Sequence, residues 1–87
     1  MTTKTFTPVT IETGLGRYQT IANVEAAARY MLDSWPEAPG PLHFRARQIC
    51  LQVLNGERPP DDARVAFIEA LNEAEIWVRC YVQKSQP

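Results

Sequence analysis

The chain has 87 residues, nine basic and ten acidic side chains, and a hydrophobic fraction of 45%. This length predicts a single domain, residues 1–87, with residues 1–5 and 84–87 as frayed tails, and the hydrophobic fraction excludes a disordered chain. The balanced charge excludes a protein built mainly to bind nucleic acid. Because no apolar run reaches the roughly 20 residues of a membrane-spanning helix, we expect a cytoplasmic protein without a membrane or nucleic-acid partner.

The N-terminal part of the chain predicts a β-hairpin. Apolar and polar residues alternate on both sides of a glycine-containing segment, and the many threonines of this region favour strands. A two-residue turn at Gly14–Leu15 would place Ile11 opposite Tyr18 and Glu12 opposite Arg17. That register would place an apolar pair on one face of the hairpin and an oppositely charged pair on the other.

Three amphipathic helices are predicted after the hairpin. Asn23 caps the first, which ends before Pro36; the second begins at Pro41 and stops at Gly56; the third begins within Pro59–Asp61, with Asp61 as its cap. The residues expected to face inward are Val24, Ala27, Ala28, Met31 and Leu32 in the first helix, Leu42, Ala46, Ile49, Cys50, Val53 and Leu54 in the second, and Ala63, Ala66, Phe67, Ala70, Leu71 and Ala74 in the third.

The C-terminal segment 75–82 has two interpretations, a prolongation of the third helix or a separate strand. Its β-branched and aromatic residues favour the strand, in which Ile76, Val78 and Cys80 point toward the helices. The element order is then β-β-α-α-α-β. This order predicts an α+β fold with a small antiparallel sheet that the helices cover on one face.

The chain resembles a family of short uncharacterised proteins from rhizobia and related alpha-proteobacteria, known only as a domain of unknown function. The residues that carry the resemblance are Arg17, Ala26–Ala28, Trp35 with Pro36, Cys50, Gly56, Ala63-Arg64, Ala66-Phe67-Ile68 and Glu73-Ala74. One departure is Glu75, where these proteins often have a glycine that ends the last helix. The resemblance supports the fold and implies no catalytic or binding residues.

Known catalytic and cofactor motifs are not found in the sequence. One histidine and two distant cysteines do not make a zinc site, and His43 and Cys50 are separated by roughly 10 Å along a helix, too far for a catalytic pair. The segment Gly14–Gly16 lacks the third glycine of a dinucleotide-binding loop. We therefore expect no cofactor, no metal and no enzymatic activity. Cys50 and Cys80 are expected to be buried free thiols, with a structural disulfide as the alternative.

The outer face of the predicted C-terminal strand suggests a function. If even-numbered residues of this strand point inward, Trp77, Arg79 and Tyr81 point outward, where they join Arg17 of the hairpin. Aromatic residues and arginine are typical of interface centres. We therefore expect a protein-interaction or self-association module, most simply a homodimer. In the alternative interpretations an arginine covers the rings, or the segment is helical and Trp77 is buried.

A second function is consistent with the start of the second helix. His43, Arg45 and Arg47 lie near backbone N–H groups that a helix leaves free, so this end of the helix could bind a small anion or other small ligand. An acidic stripe on the third helix, which includes Glu69 and Glu73, offers an internal or intermolecular partner for the same surface.

Overall fold

The computed structural model describes residues 4–36, 38–76 and 78. Its elements are β1 (Thr5–Gly14), β2 (Arg17–Asn23), α1 (Val24–Asp33), α2 (Pro41–Leu54) and α3 (Pro60–Glu73). β1 and β2 form an antiparallel two-stranded sheet. The α+β class predicted from the sequence is confirmed.

The hairpin has a different register from the predicted one. Ile11 lies opposite Gln19, and Glu12 lies opposite Tyr18, so the predicted pairs of Ile11 with Tyr18 and of Glu12 with Arg17 are wrong. A shift of one residue moves a side chain to the other face of the sheet. Tyr18 is therefore on the outer face beside Glu12, where 47% of its surface is exposed.

Burial of apolar residues explains the observed register. Val9 lies directly opposite Ile21, and both are fully buried, so this pairing brings the largest apolar surfaces of the two strands together. The turn is at Leu15–Gly16 rather than at Gly14–Leu15, because Gly16 adopts the positive φ of 71°. A β-bulge between Glu12 and Gly14, just before the turn, allows this turn to connect strands that pair in the observed register.

The hydrophobic core lies between the hairpin and the helices. Val9, Ile11 and Ile21 on the inner face of the hairpin, and Phe67 and Leu71 on α3, are all completely buried. α1 packs on β2 and α3 packs on β1, while α2 packs on α1 and α3. The hairpin thus has one face covered, as the sequence predicts.

Local signals set the beginning of each helix. The side chain of Asn23 accepts a hydrogen bond of 2.7 Å from the backbone N–H of Ala26, which confirms the predicted cap of α1. α2 begins at Pro41, as predicted. α3 begins at Pro60, so the predicted capping role of Asp61 is wrong. Proline has a φ suited to the first helical position, and this moves the start one residue ahead of Asp61.

Two leucines predicted to face the core are instead exposed. Leu32 of α1 is 66% exposed and Leu54 of α2 is 38% exposed. In α1, Tyr30 is buried in place of Leu32. The ring of Tyr30 meets those of Trp35 and Phe67 edge to face, at centroid distances of 5.7 and 6.2 Å. Because edge-to-face rings attract each other beyond their area of contact, this cluster fixes the rotation of α1.

α3 ends in a Schellman motif. The backbone N–H of Ile76 donates to the carbonyl of Leu71, and that of Glu75 donates to the carbonyl of Asn72. Glu75 takes the left-handed conformation of this motif, with a φ of 60°. The helix therefore does not continue through Glu75, and the interpretation of segment 75–82 as a prolonged α3 is wrong.

The chain returns to the sheet after this motif. Val78 forms an isolated antiparallel bridge with Ile11, and both Ile76 and Val78 pack against the core. The described part of the predicted C-terminal strand therefore lies along the β1 edge. The rest of that strand, residues 77 and 79–82, lies outside the described residues.

The Schellman motifs that follow α2 and α3 give a first prediction. Gly56 ends α2 with a φ of 83°, whereas Glu75 has the equivalent place after α3. A β-carbon is unfavourable in this conformation, so Glu75→Gly should raise the free energy of unfolding by about 0.5–1 kcal/mol and Gly56→Ala should lower it by about 1 kcal/mol. Urea denaturation measures both changes. Glu75→Gln, which removes the charge and keeps the β-carbon, should match the unmodified protein; a gain as large as that of glycine would contradict the argument.

Candidate functional site

The sheet face predicted as an interface is described only in part. Trp77, Arg79 and Tyr81 lie outside the described residues, so their role stays a prediction. Arg17 is at the start of β2, opposite Gly14, and is exposed. The structure places this one predicted anchor on the surface.

The neighbouring outer face of the hairpin is largely polar. The hydroxyls of Thr10 and Thr20 share a hydrogen bond of 3.0 Å across the strands, and Glu12 and Tyr18 form the next pair. Polar pairs of this kind suit a solvated face or the rim of an interface. The apolar centre of an interface is not found among the hairpin residues of this face.

The three residues of the predicted anion site point to different surroundings. His43 is only 2% exposed, and its Nε2 donates to the carbonyl of Met31 at 3.1 Å. Its ring packs against Trp35 with centroids 4.7 Å apart. Arg45 lies in a groove between α2 and α3, and Arg47 lies in another groove between α1 and α2. The structure therefore does not bring these three side chains together.

A carboxylate of the chain itself occupies the start of α2. Both oxygens of Glu73 accept from the backbone N–H of Leu42, at 3.2 and 3.3 Å. A negative charge is favourable at a helix N-terminus, and Glu73 supplies it across 31 residues of sequence. The acidic stripe of α3 thus meets the start of α2 within one chain. An added anion would have to compete with this contact.

A cluster of large apolar side chains lies on the outer side of α1 and α2. The large apolar residues are Leu32 of α1 and Phe44, Leu51 and Leu54 of α2. Together with Ala28 and Arg47, which lie beside them, we call them the outer α1–α2 surface. Phe44 is 53% exposed and Leu51 is 61% exposed. Four of the seven large exposed apolar residues in the described part of the chain belong to this surface, so exposure of apolar side chains is concentrated here.

A groove crosses the outer α1–α2 surface. It has a volume of about 170 Å³, and Cys50 lies beside Ala28 and Leu32 in its lining. Cavities that bind drug-sized molecules usually begin at about 300 Å³, so this groove suits a single protruding side chain better than a small-molecule ligand. Leu32, Leu51 and Leu54 line this groove.

Among the described residues that line the groove, Arg47 is the one with a charged side chain. Its guanidinium carbon lies 5.6 Å from the ring centroid of Phe44, one helical turn earlier. Its Nε is buried and has no hydrogen-bond partner within the described residues. A buried donor without an acceptor is unfavourable by about 1–3 kcal/mol. The Nε of Arg47 is therefore an unsatisfied donor within the described part of the chain.

Cys50 is buried at the inner side of the groove as a free cysteine. Burial raises the pKa of its thiol from the ordinary 9.0 to about 11, because the thiolate is disfavoured in apolar surroundings. A thiol in this state is a poor nucleophile. Cys50 thus acts as a small apolar core residue, as the sequence predicts, and Cys80 lies outside the described residues.

The other cavities have fewer features that indicate a ligand or a reaction. A larger groove of about 620 Å³ runs from the hairpin turn to the end of α3, and Glu12, Tyr30, Ser34 and Glu75 are among its lining residues. The described residues of its lining include the carboxylates of Glu12 and Glu75 and no basic side chain. No group of three metal-ligating side chains is found among residues 4–36, 38–76 and 78. Of the helices in the same ranges, none is long and apolar enough to cross a membrane.

Phe44 and Leu51 are surface residues that the sequence-based predictions do not include. The signal is present in α2: Phe44, Leu51 and Leu54 follow helical spacing on a second side of the helix, away from the core stripe of Ala46 and Val53. A helix with two apolar stripes does not show which stripe faces the core. Only the packing on α1 and α3 decides this.

The fold and the surface define a small α+β domain with an apolar outer helix face. The chain belongs to the family described as protein of unknown function (DUF982), whose model matches residues 7–78. The resemblance to a domain of unknown function is confirmed; the rhizobial origin stays a prediction. No curated protein matches the chain, and no solved structure matches it.

The contact at the start of α2 gives a second prediction. A β-carbon at Gly40 would lie 2.6 Å from Oε1 of Glu73, too close for both to keep their places. Gly40→Ala and Glu73→Ala should each lower the free energy of unfolding by about 1 kcal/mol, because each removes the carboxylate from the helix N-terminus. The double variant should lose less than the sum of the two. Glu69→Ala is the matched control on α3, and additive losses in the double variant would refute the shared contact.

The pKa of Cys50 gives a third prediction. Since the raised pKa favours the protonated thiol in the folded state, its contribution to stability is complete below pH 9 and is lost as the pH rises toward 11. Burial raises the pKa of Tyr30 as well, in the same direction. Cys50→Ala should therefore show a smaller alkaline loss of stability than the parent, both in a Cys80→Ser background. Equal pH profiles would contradict the assignment, and slow alkylation of folded Cys50 relative to the unfolded chain checks it independently.

Proposed function

We propose that this protein is a non-catalytic protein-interaction module that binds its partner through the outer α1–α2 surface. The observation that carries the proposal is the second apolar stripe of α2, formed by Phe44, Leu51 and Leu54. A helix that is apolar on two sides is typical of one that is covered on both. α1 and α3 cover the inner side, and a partner covers the outer side.

The composition of the surface supports this function. Phe44 and Arg47 are of types that are enriched at the centres of protein interfaces, and the leucines around the groove add apolar area to them. Arg47 combines an alkyl stem that lines the groove with a charged end over Phe44. The small volume of the groove favours an inserted side chain over a free ligand.

The two functional sites predicted from the sequence remain separate hypotheses. In the first hypothesis, the protein also binds a partner, but through the sheet face that includes Trp77, Arg79, Tyr81 and Arg17. The small-ligand hypothesis requires an open start of α2, where the carboxylate of Glu73 already binds the backbone. The apolar helix surface therefore has the stronger physical support.

Photo-crosslinking in cells tests the proposed function. A benzophenone amino acid in place of Phe44 should yield a discrete covalent adduct, because it lies in the proposed contact. The same amino acid in place of Val65 is a matched control, since Val65 is 48% exposed on α3 and lines a different groove. Adduct yields on denaturing gels, followed by mass spectrometry, provide the measurement.

Two further variants make the crosslinking test specific. Leu51→Glu should reduce the Phe44 adduct at least about tenfold, because a charge in the centre of an apolar contact is costly. Trp77→Ala should leave the adduct unchanged if the outer α1–α2 surface is the binding site. Absence of a Phe44 adduct, or equal labelling from the Val65 position, would refute the proposal.

A further inference from the structure

We infer that the groove between the hairpin turn and the carboxyl ends of α1 and α3 binds a small aliphatic diamine. This groove has a volume of about 620 Å³, which is within the usual range for small-ligand sites. It shares no lining residue with the groove of the outer α1–α2 surface. The inference therefore adds a second site and does not depend on the proposed function.

The fold places this groove at the end of the sheet where the core stops. Leu15 of the hairpin turn lines one side, and Ile76, which follows the Schellman motif of α3, lines another. Gln19 lies directly opposite Ile11 and is therefore on the inner face of the hairpin, yet it is exposed. Polar side chains and helix ends thus take the place of core residues here.

Two carboxylates give the groove a negative charge. Glu12 of β1 and Glu75 after α3 both line it, and neither forms an ion pair within residues 4–36, 38–76 and 78. Arg17, the basic residue near the hairpin turn, lies opposite Gly14 and does not line the groove. A bound cation would neutralise charge that the described lining leaves unbalanced.

Two helix ends add to the negative potential. Ser34, which caps the end of α1, and Ala74, which caps the end of α3, both line the groove. The carboxyl end of a helix has a partial negative charge, and cations are favourable beside it. Neither α1 nor α3 has a basic residue in its last turn. Both helices therefore present the same sign of charge as the two carboxylates.

Tyr30 is an independent indication of a ligand. It lines the groove although only 5% of the residue is exposed, and its hydroxyl has no hydrogen-bond partner in the described part of the chain. The rings of Trp35 and Phe67 hold it edge to face. Buried polar groups normally have a partner. A hydroxyl held in this wall accepts a hydrogen bond from a bound ammonium group.

The lining determines the chemical class of the ligand. Its polar side chains are carboxylates, hydroxyls and an amide, all of which contain an acceptor, and an ammonium group offers only donors. Leu15, Pro36 and Ile76 add apolar surface for a hydrocarbon chain. A metal ion fits less well, because no group of three metal-ligating side chains occurs in the described ranges. Two carboxylates on separate elements match the two charges of a diamine.

NMR titrations at low ionic strength test the site with three probes of similar length. 1,4-Diaminobutane, butylamine and butane-1,4-diol have two, one and no positive charges at neutral pH. The diamine should produce saturable shifts at the backbone amides of Gly14, Ser34 and Glu75 and none at Leu51, and butylamine should bind at least about threefold more weakly. Absence of saturable shifts in the groove, or equal binding of the diol, would overturn the inference.

Substitutions show which groups bind the amine. The double variant Glu12→Gln, Glu75→Gln should raise the dissociation constant of the diamine at least about tenfold, because both carboxylates are lost. Tyr30→Phe keeps the buried ring and should raise the same constant about threefold. Glu69→Gln removes a carboxylate of α3 that lines a different groove, and it should leave the affinity unchanged. Unchanged affinity in the double variant, or an equal loss in Glu69→Gln, would contradict the site.

A further probe separates a free diamine from a lysine side chain. Nα-acetyl-lysine methylamide has one ammonium group on the same four-carbon chain. It should bind no more tightly than butylamine, because it offers one charge to two carboxylates. Binding as tight as that of the diamine would instead identify a lysine of a partner protein as the occupant and overturn the assignment to a diamine.

Discussion

The structure depends on the burial of one face of the β-hairpin. An isolated two-stranded hairpin is marginal in water, and burial of one large aliphatic side chain contributes about 1.5–3 kcal/mol. Val9, Ile11 and Ile21 are all fully buried, so their removal from water requires the helices. The register of the strands follows from this requirement, because only the observed pairing sets Val9 opposite Ile21.

The same burial fixes where α2 lies. α1 and α3 contact the strands, and α2 packs on these two helices. This arrangement brings the start of α2 to the end of α3, where Glu73 reaches the backbone N–H of Leu42. It also leaves one side of α2 directed away from the hairpin and the other helices. The outer α1–α2 surface is thus a consequence of how the core is built.

Features set by neighbouring residues could be predicted from the sequence. The cap at Asn23, the start of α2 at Pro41 and the stop at Gly56 each depend on the local backbone chemistry of a few residues. The departure at Glu75 is also local: the family resemblance predicts glycine there, and the structure shows the positive φ that explains this preference. Such signals do not depend on the tertiary fold.

Features set by distant residues could not be predicted in the same way. The hairpin register depends on which strand residues the helices bury, and the turn alone does not contain this information. Leu32 and Leu54 have the same helical spacing as core residues, so periodicity places them inward with equal weight. From the sequence, His43 is predicted to lie on the surface and bind an anion. In the structure it is buried, because its ring packs against Trp35 and its Nε2 donates to the carbonyl of Met31.

The distribution of side-chain sizes on α2 is consistent with the proposed role of the outer α1–α2 surface. The inward positions include Ala46 and Cys50, whereas the larger Phe44 and Leu51 lie outward. α3 likewise faces the core with several alanines, which permit close packing of the helices and leave little volume for large residues. Exposed apolar residues are common one at a time, but a group of them on one helix side is less usual. In the proposed interaction module, burial of Phe44 and Leu51 against a partner contributes free energy that the isolated chain does not have.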